Sequence, residues 1–293
     1  MSQEIPQIVT GHTELLGLIA YPIRHSSSPR MHNLALARLG LDYVYLAFEV
    51  DDRELKGAID GMKALKALGW NVSMPNKVEV VKHLDKISPA VELCGACNTV
   101  VNDAGVLTGH NTDGLGYILA LRQVGMDIAG RRLVLIGAGG AAVAITTQAA
   151  LDGAAAIDIF NQRDAFFPQA EAHAGRISAR TGCPIAVHDL ADTGNFRAVV
   201  ARADILGNAS KIGFKGELES LSPLPDSSVL RADLFVSDVV YAPLKTRLLR
   251  EAEAAGCRTM GGIPMMLHQG AAAFKMWTGK DMPLDYVEEH LFS

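Results

Sequence analysis

The chain has 293 residues, 49% of them hydrophobic, and a formal charge of −5 at pH 7. This length fits one large domain or two of about 150 residues, and we expect two. The acidic balance disfavours a surface that neutralises a phosphate backbone, so nucleic acid is not an expected partner. No stretch reaches about 18 uninterrupted apolar residues and residues 1–10 lack the features of a leader, so we expect a soluble, cytoplasmic protein without a membrane span.

Four cysteines are too few for a disulfide scaffold in a chain of this length. Cys94-x-x-Cys97 has the spacing of a redox pair or of half a zinc site. No second pair of this kind and no His-x-x-x-His segment accompanies it, and the nine histidines are scattered. We therefore expect reduced thiols and no metal site.

Hydrophobic spacing in the first third of the chain alternates between strand and helix patterns. Ser28-Pro29 opens a helical stretch that stops at Gly40, which matches the preference of helices for proline at the start and glycine at the end. Strands are predicted at 15–20, 42–50, 70–74 and 97–101, with further helices at 52–68 and 78–84 and a hairpin turn at 102–105. This order predicts an α/β domain with a parallel sheet.

A second α/β pattern follows a predicted linking helix at 115–124. Strand, glycine turn and helix run from Arg132 to Leu151, and a second strand at 156–160 completes the opening of a Rossmann unit. Later strands are predicted at 185–187, 205–208 and 234–239, and a final helix at 264–278. We expect an N-terminal α/β substrate-binding domain at 1–113 and a Rossmann dinucleotide-binding domain at 114–263. A cleft would lie between them, and the C-terminal helix, about 264–293, would pack back on the first domain.

The glycine turn reads Gly137-Ala138-Gly139-Gly140-Ala141-Ala142 and directly follows the apolar run 133–136. In such a turn the first glycine permits the tight bend and the second lets the backbone approach a pyrophosphate. An alanine can replace the third glycine where helix meets strand. Because the helix N-terminus favours phosphate, the turn predicts nucleotide binding. The alternative is an ordinary strand-to-helix turn.

The segment Asn161-Gln162-Arg163-Asp164 lies at the end of the next predicted strand, about 20 residues beyond the glycines, where side chains meet an adenosine ribose. An acid here favours a free ribose 2′-hydroxyl and repels a 2′-phosphate. An arginine can instead pair with that phosphate. We favour NAD with NADP possible. The alternative is a solvated loop in which Asp164 is a helix N-cap.

Lys77 and Asp113 supply an amine and a carboxylate in the segments 71–77 and 111–114, and Lys77 follows Pro75 at a strand end in otherwise apolar surroundings. Such a pair can move a proton, while the glycine turn can hold the carrier of a hydride. Taken singly, Lys77 is more typical of a solvent-facing residue and Asp113 of a helix cap. Taken together with the glycine turn they indicate a dehydrogenase.

Ser26 and Ser28 lie in the run His25-Ser26-Ser27-Ser28-Pro29, at the mouth of the first predicted helix. Hydroxyls and free backbone N–H groups converge at such a position, which suits a carboxylate. The alternative is simple N-capping of the helix by Ser28.

These segments together resemble the shikimate dehydrogenase family, and within it the quinate/shikimate dehydrogenase branch. The similarity runs from residues 17–29 to the tail Trp277-Thr278-Gly279-Lys280. It implies that Ser26 and Ser28 hold the substrate carboxylate and that Lys77 and Asp113 are the catalytic pair, which also contacts the substrate. It further implies substrate contacts from Tyr45, Asn71, Ser73, Asn98 and Gln269.

For the cofactor, the resemblance implies pyrophosphate contacts along 137–141 and adenosine contacts along 161–164. Nearer the nicotinamide it implies Lys211, Val239, Val240, Tyr241, Ala242 and Gly262. Two departures stand out. Gln162 replaces the first arginine of the branch's Asn-Arg-Arg-Asp, which weakens an NADP preference, and Pro264 replaces the second glycine of the family's Gly-x-Gly-Met. Because proline lacks an N–H and fixes φ, the latter change affects the expected substrate preference more than the reaction.

The expected activity is reversible, NAD(P)-dependent oxidation of the C3 hydroxyl of quinate or shikimate to 3-dehydroquinate or 3-dehydroshikimate, a step of aromatic amino acid biosynthesis by the chorismate pathway. One alternative is a dehydrogenase for another cyclic polyol acid, such as aminoshikimate, which Pro264 motivates. Another is a non-catalytic sensor of dinucleotide or quinate, although a sensor need not keep the proton-transfer pair. We expect a monomer or a homodimer.

Overall fold

The computed structural model describes residues 8–291 and divides into two compact units. The first runs up to Thr112 and resumes at Gly270, and the second is Asp113–Gln269. Residues 270–291 of the segment expected to pack back on the first domain thus belong to the first unit, while 292–293 lie outside the described residues. The substrate and cofactor domains, 1–113 and 114–263, are functional assignments and stay predictions.

The helices and strands follow one another as an α/β sequence through both units. The strands are β1 (Glu14–Ala20), β2 (Tyr43–Glu49), β3 (Gly69–Val72), β4 (Lys86–Ile87), β5 (Thr99–Asp103), β6 (Val106–His110), β7 (Arg132–Ile136), β8 (Ala156–Asn161), β9 (Ile185–Asp189), β10 (Ile205–Asn208), β11 (Phe235–Asp238) and β12 (Arg258–Met260). The α-helices are α1 (Ser28–Leu39), α2 (Leu55–Ala64), α3 (Pro89–Cys94), α4 (Thr112–Gln123), α5 (Gly140–Leu151), α6 (Phe167–Thr181), α7 (Thr193–Val200), α8 (Arg247–Ala254), α9 (Gly262–Thr278) and α10 (Leu284–Leu291). Single 3-10 turns lie at Glu79–His83 and Ser227–Val229.

The sheet of the first unit has the order β2-β1-β3-β5-β6-β4 and is mixed, so the prediction of a parallel sheet was wrong. Strand β5 is antiparallel to both β3 and β6. The hairpin predicted at 102–105 is confirmed, since Ala104 and Gly105, with φ angles of 48° and 95°, form a tight turn that joins β5 to β6 and reverses the chain direction. Such a short connection can join only antiparallel strands.

The helix predicted at 78–84 is instead the 3-10 turn Glu79–His83. The segment is anchored at its start by Asn76, which is fully buried and donates its Nδ2 to the carbonyl of Val50 over 2.8 Å. At its end, Leu84 is already extended and the chain pairs with β6 as β4. Too few residues remain between these anchors for a longer helix.

The sheet of the second unit has the order β12-β11-β10-β7-β8-β9, and all of its pairs are parallel. Read from β9, this is the doubly wound order 3-2-1-4-5-6, which confirms the predicted Rossmann unit. The order reverses between β7 and β10, and ligands of such sheets bind beside the carboxyl ends of the strands at that point. Within residues 8–291 no helix is both long and apolar enough to cross a membrane.

Candidate functional site

The turn after β7 is an open glycine loop that leads into α5. Gly137 has a φ of 109°, and a Cβ there would lie 3.0 Å from the backbone of Ala209. Gly139 caps α5, and a Cβ at Gly139 or Gly140 would meet nothing within 4 Å. Space before the N-terminus of a helix suits a phosphate, so these residues fit a dinucleotide. Ala142, which replaces the third glycine of the motif, is buried. Ala138 and Ala141 are half-buried.

Residues 161–164 form a turn at the end of β8, and hydrogen bonds from polar groups of the turn stabilise it. Asn161 Nδ2 donates to the Asp164 carboxylate over 3.1 Å, and the same oxygen accepts the Phe166 N–H over 2.9 Å. The N-cap of α6 is Phe166, so the alternative in which Asp164 is the N-cap of that helix is wrong. Arg163 Nε lies 3.0 Å from Oδ2 of Asp189 on β9. One further residue of the turn is exposed: Gln162.

A buried carboxylate, Asp238, joins the ends of two strands in the second unit. It is 1% exposed, and its Oδ1 accepts Asn208 Nδ2 over 2.9 Å and the Val240 N–H over 3.0 Å. Its Oδ2 accepts the Thr246 hydroxyl over 2.7 Å. Burial raises the pKa of Asp238 to about 6. Sequence reasoning missed this group, although polar residues at the ends of β10 and β11 next to the switch point were a usable signal.

Asp238 makes folding stability depend on pH, with a definite sign. The pKa of Asp238 in the folded protein is above that of an unfolded aspartate. Its contribution to the free energy of unfolding is therefore fully present below about pH 4 and is lost as the pH rises through about 6. We expect the melting temperature of the wild type, relative to that of Asp238→Asn, to fall between pH 4 and 7. Differential scanning calorimetry of the two proteins measures this, and a difference that rises with pH would contradict the assignment.

The residues assigned to the nicotinamide side lie in two loops linked to each other. Lys215 N–H donates to the carbonyl of Ala242 over 2.7 Å, and the ring of Tyr241 meets Phe214 edge to face with centroids 5.5 Å apart. A Cβ on Gly262 would lie 2.4 Å from the Val239 carbonyl oxygen, so only glycine fits this close approach. Of the other residues predicted for this side, Lys211 is exposed and Val240 is buried.

Pro264 lies in the first turn of α9, which begins at Gly262. The first four N–H groups of a helix have no intrahelical partner, so a proline here removes no helical hydrogen bond. The helix therefore accommodates the proline that distinguishes this chain from the family pattern. Further along α9, Gln269 is half-buried and donates its Nε2 to the carbonyl of Met266 over 2.9 Å.

In the first unit, the predicted substrate contacts Tyr45, Asn71 and Asn98 share one buried polar network. Tyr45 is fully buried, its hydroxyl donates to Asn71 Oδ1 over 2.7 Å, and burial raises its pKa, which keeps it a donor. Asn71 Nδ2 donates to the Asn98 carbonyl and to Thr99 Oγ1, each over 3.0 Å. Asn98 Oδ1 accepts the Thr112 N–H over 2.8 Å. The network thus fixes the main-chain N–H of Thr112, the residue directly before Asp113.

Helix α1 holds Tyr45 from two consecutive positions. Asn33 brackets its backbone, donating to the Tyr45 carbonyl and accepting its N–H, both over 2.9 Å. His32 stacks on the ring with centroids 4.3 Å apart. Burial lowers the pKa of His32 to about 3, and neither ring nitrogen has a hydrogen-bond partner among the described residues. A neutral imidazole thus acts as an apolar packing surface for Tyr45, which no sequence pattern announced.

Ser26 and Ser28 are half-buried at the start of α1. Ser26 Oγ accepts the Ser28 N–H over 3.2 Å, and the N-cap position is Ser27, which makes no side-chain cap bond. The alternative of N-capping by Ser28 is therefore wrong, because Ser28 is already the first helical residue. A serine oxygen that accepts one N–H still has its own hydrogen to donate.

Lys77 is half-buried, and its main chain is fixed by the Cys97 N–H, which donates to the Lys77 carbonyl over 2.8 Å. Ser73 lies four residues earlier, half-buried, with its N–H donating to Ile19 of β1 over 3.0 Å. Asp113 is half-buried in the first turn of α4. Lys77 belongs to the first unit and Asp113 to the second, and their approach stays a prediction.

The cysteines and histidines form no competing centre in the part of the chain that the structure describes. Cys94 and Cys97 are buried and not joined in a disulfide, and burial raises the pKa of Cys97 to about 12, which disfavours the reactive thiolate. Among residues 8–291, no group of three or more His, Cys, Asp or Glu side chains is placed to hold a metal ion.

Comparison with known proteins shows that the chain is similar to members of one enzyme family over nearly its full length. A family profile described as the shikimate dehydrogenase substrate binding domain matches residues 18–100, and one described as the shikimate 5′-dehydrogenase C-terminal domain matches 262–292. Shikimate dehydrogenase (NADP(+)) of Listeria monocytogenes is 55% identical over 100% of both chains. Quinate/shikimate dehydrogenase of Escherichia coli is 50% identical over 96% of this chain and 97% of its own. The crystal structure of shikimate 5-dehydrogenase from Listeria monocytogenes with shikimate and NAD has a TM-score of 0.95 at 56% identity, covering 97% of this chain and 98% of that one.

Proposed function

Because this chain belongs to the shikimate dehydrogenase family, an NAD(P)-dependent group of oxidoreductases acting on CH–OH groups, we propose that it oxidises the C3 hydroxyl of quinate or shikimate to the ketone, reversibly. The observation that carries the proposal is the polar network of the first unit. It joins Tyr45, Asn71 and Asn98 and ends at Thr112, directly before Asp113. A set of fixed amide and hydroxyl groups suits a polyhydroxylated ring.

The substrate carboxylate accepts hydrogen bonds from the hydroxyls of Ser26 and Ser28. Ser26 Oγ already accepts the Ser28 N–H, so its own hydrogen points to an acceptor elsewhere. The ring hydroxyls bind Ser73, Asn98 and Gln269. Asn71 has already used its Nδ2 as a donor to Asn98 and Thr99, so it receives a substrate hydroxyl on its Oδ1.

In the oxidation direction Lys77 takes the proton from the C3 hydroxyl and its positive charge then faces the oxygen, while Asp113 orients the amine. A bound nicotinamide dinucleotide supplies the acceptor for the hydride that leaves C3. The loop 137–141 holds the pyrophosphate, since space opens before Gly139 and Gly140. Residues 161–164 hold the adenosine ribose. Gly262 and the loop 239–242, together with Lys211, border the nicotinamide end.

NAD is the favoured cofactor and NADP is used less well. Two observations support this order. Gln162 stands where an arginine would add a positive charge, and the remaining arginine, Arg163, is engaged by Asp189 at 3.0 Å. A 2′-phosphate carries more negative charge than the free hydroxyl and would compete for that guanidinium.

Steady-state kinetics of the purified protein test the proposal, with quinate and shikimate each assayed against NAD⁺ and NADP⁺ at 340 nm. We expect turnover of at least one acid, with kcat/KM higher for NAD⁺. Turnover of an amino-substituted acid alone would support the related polyol-acid dehydrogenase instead. Binding of dinucleotide and quinate by calorimetry, without any change in absorbance, would support the sensor and contradict the enzyme.

Tyr45→Phe should weaken substrate binding while leaving the fold intact. The variant keeps the ring that stacks on His32 and removes only the hydroxyl that donates to Asn71 Oδ1. Losing one such bond costs about 0.5–1.5 kcal/mol, so we expect KM for the acid to rise about 2- to 12-fold. Tyr43→Phe, on the same strand, is the matched control. An unchanged KM in Tyr45→Phe would exclude the network from substrate positioning.

A further inference from the structure

Asp189 ends β9 next to the turn assigned to the adenosine ribose. In the parallel pairing of β8 and β9, Asn161 is opposite Asp189. This places an acidic side chain one strand beyond the segment 161–164, at the same edge of the sheet. Asp189 is not among the residues that the sequence motifs single out.

Hydrogen bonds hold the Asp189 carboxylate in place. Its Oδ1 accepts the Ala191 N–H over 2.9 Å, and its Oδ2 pairs with Arg163 Nε at 3.0 Å. The Asp189 side chain is 28% exposed and that of Arg163 is 70% exposed. The Arg163 guanidinium also lies over the ring of Phe167, 4.8 Å from its centroid. The acid is therefore the more fixed partner of this pair.

The charge balance at this corner is negative. One guanidinium, on Arg163, faces the carboxylate of Asp189 and is followed in the chain by the carboxylate of Asp164. A ribose 2′-phosphate would add up to two further negative charges. Arg163 would have to leave Asp189 or share its charge between the two anions. A free 2′-hydroxyl makes no such demand.

We propose that Asp189 is a specificity-determining residue, which selects against a dinucleotide with a 2′-phosphate by neutralising Arg163. The proposal rests on the proposed function, since it assumes that residues 161–164 receive the adenosine ribose. Asp189 would act on the discrimination between two cofactors and not on the chemical step. If Asp189 instead served to orient Arg163 toward a phosphate, removing the Asp189 carboxylate would weaken NADP⁺ binding.

The test is isothermal titration calorimetry of Asp189→Asn with NAD⁺, NADP⁺ and the fragment 2′,5′-ADP. We expect NADP⁺ and 2′,5′-ADP to bind the variant about 2- to 5-fold more tightly than the wild type, the upper part of the range for one partly exposed charge pair. NAD⁺ affinity should change less than about twofold on that same scale. The kcat/KM ratio of NADP⁺ to NAD⁺ should rise in parallel.

Asp204→Asn is the matched control. Asp204 also pairs with an arginine, Arg131, at 3.2 Å, and its other oxygen also accepts a main-chain N–H, from Arg132. It directly precedes β10 and so lies at the opposite ends of the strands, where we expect no change in either affinity. If Asp189→Asn unfolds, Asp189→Ser is used in its place, because the serine hydroxyl can still accept the Ala191 N–H.

Three outcomes overturn the inference while the enzyme remains active: an unchanged NADP⁺ to NAD⁺ affinity ratio, weaker NADP⁺ binding, or the same gain in Asp204→Asn. Failure of the proposed function looks different. In that case the wild type binds neither dinucleotide or turns over neither acid, whatever residue 189 is.

Discussion

Lys77→Ala is expected to lower kcat by about 10²–10⁴, the usual contribution of a positioned acid or base. The proton of the C3 hydroxyl would have no acceptor in the variant, and the negative charge on that oxygen would have no cation beside it. KM should change far less, because Ser26, Ser28 and the Tyr45 network remain. Steady-state kinetics at saturating dinucleotide and acid measure both constants.

Two further variants separate a proton-transfer role from a charge role. Lys77→Arg keeps a positive charge but cannot accept a proton, so we expect it to stay slow. Lys82→Ala removes a lysine from the neighbouring 3-10 turn, where it forms an exposed ion pair with Glu79 at 2.7 Å, and should keep wild-type turnover. Near wild-type kcat in Lys77→Ala would remove this residue from the mechanism.

Gly116→Ala should destabilise the second unit without altering a reacting group. Gly116 lies where α4 meets α9, and a Cβ there would be 2.6 Å from Gln269 N and 2.8 Å from the Met265 carbonyl oxygen. Both contacts are with main chain, so α9 must shift. Overpacking of this kind costs about 1–3 kcal/mol, or about 2–10 °C in melting temperature. The shift would also displace Gln269 and raise KM for the acid.

Gly175→Ala is the matched control for this substitution. Gly175 is also helical and belongs to the same unit, but a Cβ there would meet nothing within 4 Å. Since alanine favours helix over glycine, we expect no loss of stability and a gain of up to about 1 kcal/mol. If calorimetry gave Gly116→Ala and Gly175→Ala the same melting temperature, the close approach of α4 and α9 would be wrong.

The fold of the second unit could be predicted well because its signals are local. An apolar run, a glycine turn and a helix of small residues follow one another from Arg132, and the structure has β7, the open loop and α5 in those positions. Strand β10, Ile205–Asn208, has the same first and last residues as the strand predicted at 205–208.

The features that sequence reasoning missed depend on contacts between distant residues. The antiparallel pairing of β3 with β5 is one of them, because the chain that joins Val72 to Thr99 includes β4 and α3 and gives no local signal of strand direction. Likewise, the role of Asp238 depends on Asn208, which is 30 residues away along the chain. The polar ends of β10 and β11 were a local signal of a site, but the sequence does not show that these two side chains meet.

For the candidate site, residue types were easier to predict than residue roles. Asn71 and Asn98 do lie together, joined through the Asn98 carbonyl. Tyr45 was assigned to line the substrate pocket, and that contact stays a prediction. In the structure the Tyr45 hydroxyl donates a hydrogen bond to Asn71 and the Tyr45 ring stacks on His32. We therefore treat Tyr45 as a residue that positions Asn71.

The central claim is that Lys77 and Asp113 act as one unit in moving the proton. A double-mutant cycle of kcat for Lys77→Ala, Asp113→Asn and the double variant tests it most directly. Residues that act together are strongly non-additive, so we expect the double variant to be no more than about threefold slower than the slower single variant. A double variant whose loss equals the product of the two single losses would contradict the claim.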